Sequence, residues 1–148
     1  AGGSVSSQFT RLGWLGQSLS FYVETTRMRV LLADDHPKVR WALRTFIQEE
    51  REFTVVGEAP DADRLLSQAR ALRPDLILLE WELTGQPTGG VLPALLALGL
   101  QTQVIVLSWQ PELEQAALDA GADGFVSKAN GPETLLAALC RLMRDPDP

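Results

Sequence analysis

The sequence predicts an α/β domain: a doubly wound, five-stranded parallel sheet of order 2-1-3-4-5 with helices on both faces. Three observations predict it. Short apolar runs alternate with amphipathic segments from Met28 to about Arg144, five strand–helix units in all. The run Asp75–Leu79 is continuously apolar, as expected for a strand covered on both faces. Right-handed crossovers leave few topologies for such units, and the common small one places its crevice at the carboxyl ends of strands one and three.

The elements follow in order. Arg29–Ala33 is the first strand, and Pro37 to about Glu49 a helix with Val39, Leu43, Phe46 and Ile47 on one stripe. Phe53–Ala59 is the second strand. Asp61–Leu72 is a helix opened by an acidic residue, which suits its N-terminus. Asp75–Leu79 is the third strand, and residues 81–88 form a loop with Gly85 and Pro87. Gly90–Leu98 is a short helix in which Pro93 must fall in the first turn or make a kink. Gln103–Leu107, Pro111–Ala120, Gly124–Val126 and Pro132–Arg144 complete the alternation, and the proline-rich end cannot continue a helix.

Composition sets the bounds. With 148 residues there is room for one domain and an arm, and 45% hydrophobic residues supply a core. A net charge of −6 and a pI near 4.7 argue against direct contact with nucleic acid. A single cysteine, Cys140, excludes an internal disulfide and fits a reducing, cytoplasmic setting. No apolar run reaches the roughly 20 residues of a membrane span. Residues 1–27 read as an N-terminal arm or vector-derived extension, residues 28–144 as the domain, and residues 145–148 as a tail or truncated linker.

Polar residues collect where the strands end. Asp34 and Asp35 follow the first strand, Glu80 the third, Ser108 the fourth and Lys128 the fifth. Only two lysines stand against eleven arginines, so a lysine at 128 does not reflect a general preference. Three carboxylates converging on one edge call for a cation, which Lys128 supplies in part. Mg²⁺, which favours oxygen ligands, suits Asp34, Asp35 and Glu80.

With these residues in place, the chain from Met28 to about Arg144 resembles the receiver domain of two-component response regulators, especially the LuxR/NarL type. The resemblance rests on LLADDHP, PDLILLEWEL, VIVLS and AGADGFVSK, in order and at family spacing. It implies the flavodoxin-like (CheY-like) fold, a Mg²⁺ site at Asp34 and Asp35, and a phosphoryl acceptor at the end of strand three. It also implies a switch made of Ser108, Phe125 and Lys128.

One position departs from that pattern: the acceptor, aspartate in the family, is Glu80. An acyl phosphate forms by in-line attack, so placement controls rate. The extra methylene adds about 1.5 Å of reach, and a misplacement of about 1 Å can cost on the order of a hundredfold. The unmodified carboxylate could instead reach part of the space of a phosphoryl group and pair with Lys128. Thr84 stands where the family usually has proline, and Trp81, Glu82 and Trp109 add bulk and charge. Trp81 and Trp109 are expected to shape the site.

Plainer readings hold for other residues. Asp34 and Asp35, taken alone, would be caps of the first helix. His36, the sole histidine, has no Cys, Ser or second His nearby and is expected to pack at the helix start. Cys140, among Leu136, Leu139 and Met143, reads as a small core or interface residue. No Walker loop, dinucleotide fingerprint, nucleophile elbow or zinc-ligand spacing occurs, so the chain is not read as an enzyme.

The expected function is an atypical receiver that acts as a signalling and protein-interaction module and does not need phosphorylation. The resemblance implies a homodimer or an attached output domain, contacted through the fourth helix, fifth strand and fifth helix near Leu113, Ala117, Phe125, Leu136 and Leu139. A histidine kinase is a further implied partner. Two alternatives stand beside this reading. One is a Mg²⁺-dependent phosphoryl-accepting switch controlling a DNA-binding output domain; the other is a small-ligand sensor using the same pocket.

Overall fold

A computed structural model describes residues 27–83 and 90–144. The arm before residue 27, the loop segment 84–89 with Thr84, Gly85 and Pro87, and the tail 145–148 lie outside the described residues.

The strands are β1 (Met28–Ala33), β2 (Phe53–Ala59), β3 (Leu76–Glu80), β4 (Gln103–Ser108) and β5 (Gly124–Ser127). They form one sheet of order β2-β1-β3-β4-β5, and every pairing is parallel. The helices are α1 (Pro37–Gln48), α2 (Ala62–Leu72), α3 (Val91–Leu96), α4 (Glu114–Asp119) and α5 (Pro132–Arg144). Fold class and strand order are those expected from the sequence.

Strand periodicity divides the core into two layers. Leu31, Ile77, Leu79, Val104 and Val106 pack with residues of α2, α3 and α4. Their alternates Val30, Leu32, Leu76, Leu78, Ile105 and Leu107 pack with residues of α1 and α5. Both faces are covered, so the central strands are apolar at every step. Burying a leucine such as Leu31 or Leu78 contributes about 1.5–3 kcal/mol.

Several boundaries differ from expectation. β3 runs through Glu80, which sits opposite Leu107, and the Trp81 amide extends the ladder to the Leu107 carbonyl at 3.0 Å. β4 and β5 likewise include Ser108 and Ser127, which face each other in register. The fourth helix is preceded by a separate 3₁₀ turn, Pro111–Leu113. Proline fixes φ and lacks the N–H, and a tight first turn accommodates both.

α2 begins as expected from its acidic start: the Asp61 side chain accepts from the Arg64 amide at 2.9 Å. Among the described residues, no helix is long and apolar enough to cross a membrane.

Candidate functional site

The carboxyl ends of β1, β3, β4 and β5 meet at one corner. Asp34 directly follows β1, and its amide donates to the Ala59 carbonyl of β2 at 3.1 Å. Its carboxylate is 1% exposed. Oδ2 accepts from Lys128 Nζ at 2.6 Å, and Oδ1 accepts from the His36 amide at 2.9 Å. Glu80 is buried at the end of β3; its Oε1 pairs with Lys128 Nζ and its Oε2 accepts from the Glu82 amide at 3.1 Å.

Lys128 is placed by its backbone, whose amide donates to the Ser108 carbonyl at 2.7 Å and so continues the β4–β5 ladder. Its side chain is 7% exposed. Burial alone would lower its pKa, but hydrogen bonds and attraction from Asp34 and Glu80 outweigh burial and hold it above the ordinary 10.5. The ammonium therefore ties the ends of β1, β3 and β5 together.

The other residues singled out from the sequence lie around this centre. The Asp35 side chain is 27% exposed, with Oδ1 3.0 Å from His36 Nδ1. The buried Ser108 hydroxyl accepts from the Gln110 amide at 3.0 Å, and no hydrogen bond joins it to Glu80. Phe125 is half-buried against the α2–α4 layer of the core. Trp81 is buried in that same layer with its Nε1 lacking a hydrogen-bond partner among the described residues, whereas Trp109 is 61% exposed. Trp109 borders a cavity on the opposite side of the sheet.

Sequence reasoning missed two features. His36 does not pack at the helix start: it occupies the N-cap position of α1, its side chain is 67% exposed, and Nδ1 lies 3.2 Å from Asp34 Oδ1. Its place directly after two strand-end aspartates was the available signal. Arg40, one turn into α1, donates through Nη1 to the Asp34 carbonyl at 2.6 Å and through Nε to Glu58 Oε1 at 3.1 Å. Arg44 joins the same glutamate. A lone glutamate inside the apolar run of β2 was the clue there.

The residues named near the expected contact face differ in exposure. Ala117 and Leu139 are 0% exposed, because each faces the sheet. Leu113, Phe125 and Leu136 are only half-buried, and Leu118 on α4 is more exposed. Cys140 is half-buried.

The donor set fits a hard divalent cation. Asp34, Asp35 and His36 each offer an atom, all within 4.8 Å of one another. Glu80, expected from the sequence among the ligands, stands outside that group, and its Oε1 pairs with Lys128. Counting Asp34, Asp35 and Glu80 against Lys128, three carboxylates less one ammonium leave two negative charges, which a dication balances. The carboxylate oxygens suit Mg²⁺, while an imidazole suits a transition metal better.

Residues 30–140 match the family described as the response regulator receiver domain. The chain is 38% identical over 112 residues to the nitrate/nitrite response regulator protein NarL of Escherichia coli strain K12, spanning 74% of this chain and 52% of that protein. In structure it is similar to the isolated REC domain of RcsB from Salmonella enterica serovar Typhimurium in the presence of phosphomimetic BeF3⁻. That likeness has TM-score 0.75 and 26% identity over 80% of this chain and 90% of the other. The response regulator domain of Thermotoga maritima CheB is similar at TM-score 0.70 and 29% identity, covering 82% and 99%. The chain spans about half the length of the curated relatives it matches.

Proposed function

The chain belongs to the response regulator receiver domain family, and on that premise we propose that it signals without phosphorylation, with Glu80 standing where the family places its acceptor aspartate. The observation that carries this reading is the Lys128 ammonium held between the Asp34 and Glu80 carboxylates. Lysine at this position pairs with phosphoryl oxygens in the family pattern. Here Glu80 already supplies the negative partner, with one charge in place of the nearly two of a phosphoryl group.

Glu80 is also poorly set for attack on phosphorus. Lys128 takes one of its oxygens and the Glu82 amide the other. Both interactions would have to be exchanged for a phosphoryl group to form. Lys128, Ser108 and Phe125 act as the switch elements in this reading, with Trp81 and Trp109 shaping their surroundings. Asp34 and Asp35 would hold Mg²⁺, which would neutralise charge at this corner, and His36 stands at its edge.

The output is contact with another protein. A second copy or an attached DNA-binding domain is engaged through the outer face of α4, β5 and α5; a histidine kinase would be the partner upstream in the conventional phosphoryl-accepting switch. The chain's net charge of −6 favours protein partners over nucleic acid. A cytoplasmic location follows from the same reading.

The test is acetyl phosphate with Mg²⁺, followed by intact mass, on wild type, Glu80→Asp and Glu80→Gln, together with the self-association constant of each. We expect no adduct on wild type, and weaker self-association in Glu80→Gln. A stoichiometric phosphoryl adduct mapping to Glu80 would replace this reading with the conventional switch. No adduct but unchanged association in Glu80→Gln would leave a constitutive docking scaffold.

A further inference from the structure

The acidic corner carries one donor that is not an acid. His36 Nδ1 lies 3.2 Å from Asp34 Oδ1 and 3.0 Å from Asp35 Oδ1. Among the described residues, no other group of three side chains brings metal-ligating atoms together in this way.

These two separations decide what the group can hold. Donors bound about 2.1 Å from one transition ion, at octahedral or tetrahedral angles, lie roughly 3.0–3.4 Å apart. Both Nδ1–Oδ1 separations fall in that range, so neither pair has to move apart to share a cation. Ionised carboxylates only accept, so the Nδ1 hydrogen lies toward these oxygens. A metal would take the place of that hydrogen. The oxygens are turned inward: the Asp34 carboxylate is buried, and so is Asp35 Oδ1, although the Asp35 side chain reaches solvent. The ring itself is largely exposed, which leaves an ion a path from solvent. Glu80 is not the third donor, since Lys128 and the Glu82 amide engage its two oxygens.

We propose that His36 is a metal ligand, and that with Asp34 and Asp35 it makes this corner select a first-row transition dication such as Zn²⁺ over Mg²⁺. The proposal rests on the reading that Asp34 and Asp35 hold a cation, and adds the third ligand and the choice of ion. Two carboxylates alone suit Mg²⁺, a hard ion that takes oxygen donors and keeps several waters. An imidazole nitrogen adds little for Mg²⁺ and much for Zn²⁺. Charge agrees. With Glu80 offset by Lys128, Asp34 and Asp35 leave two negative charges for a dication, and a neutral imidazole adds none. The ion would also be felt at the switch, because Asp34 turns Oδ1 toward His36 and gives Oδ2 to Lys128.

The experiment titrates the 148-residue chain with Zn²⁺ and with Mg²⁺ by calorimetry, and follows the ring nitrogen shifts of isotope-labelled protein. His36 is the only histidine, so those signals have one source. Wild type should bind Zn²⁺ more tightly than Mg²⁺, with Nδ1 rather than Nε2 shifting. His36→Gln should weaken Zn²⁺ at least roughly tenfold, the low end of what losing even an outer partner of a metal ligand costs. It should leave Mg²⁺ unchanged within about twofold. His36 makes no side-chain cap bond to α1, so the helix should survive the change, which circular dichroism checks. Asp35→Asn should weaken both ions. Zn²⁺ binding that His36→Gln leaves unchanged, or that shifts Nε2 or neither ring nitrogen, overturns the proposal. If Mg²⁺ binding is then still lost in Asp35→Asn, the carboxylates stand as a cation site without the histidine. Binding of neither ion overturns both.

Discussion

Lys128 Nζ donates to Asp34 Oδ2 at 2.6 Å across 94 residues of chain, inside a corner where both side chains are almost fully buried. Such a pair is costly to break one-sidedly, because the partner left behind is a buried and uncompensated charge.

Lys128→Met should therefore destabilise the domain by about 3–5 kcal/mol, since it strands both Asp34 and Glu80. Urea denaturation measures this. A loss under about 1 kcal/mol, the value of an exposed pair, would contradict the burial described.

The same lysine sets an alkaline limit. Its folded-state pKa lies above the ordinary 10.5 because Asp34 and Glu80 favour the charged form more than burial opposes it. The group binds its proton more tightly folded than unfolded. Its contribution is thus fully present below about 10.5 and is lost as pH rises through the folded value. Melting temperature between pH 6 and 9 should owe no slope to Lys128. Above pH 10.5 wild type should lose more stability than Lys128→Arg, whose guanidinium keeps its proton. Equal alkaline slopes in the two proteins would count against it.

Arg40 should matter to the site without touching Lys128 or Glu80. It holds the Asp34 carbonyl and half of Glu58, so Arg40→Met should cost about 1.5–3 kcal/mol. The loss is bounded because Arg44 still holds Glu58. Hydrogen exchange should rise at the amides of Asp34 and His36, while that of Leu139 at the α5 core stays protected.

Asp61→Ala removes the side-chain cap of α2. A loss of about 1 kcal/mol is expected, read as a shift in the urea midpoint with unchanged slope. Asp61→Asn should recover most of it, which a charge effect alone would not.

The strands and their order were legible because apolar runs and crossover handedness leave little freedom. The residues at the strand ends were harder. Glu80, Ser108 and Ser127 are polar, so periodicity ends the strands one residue early, although the ladder continues through them. The convergence of Asp34, Glu80 and Lys128 could be inferred from parallel topology. The Arg40–Asp34–Glu58 linkage could not, since it depends on which side of α1 faces β2. Ala117 and Leu139 show the same difficulty: a residue can belong to a helix near a surface and still face the sheet.

His36 has a practical consequence. It is the only imidazole in the chain, and its ring leans on Asp34 and Asp35 while most of it faces solvent. Its two carbon-bound ring protons give two resonances that no other histidine overlaps. A divalent cation arriving beside the two aspartates would have to shift or broaden those lines, and a paramagnetic one such as Mn²⁺ would erase them. The protein thus carries its own reporter at the acidic corner, readable without labelling or mutation.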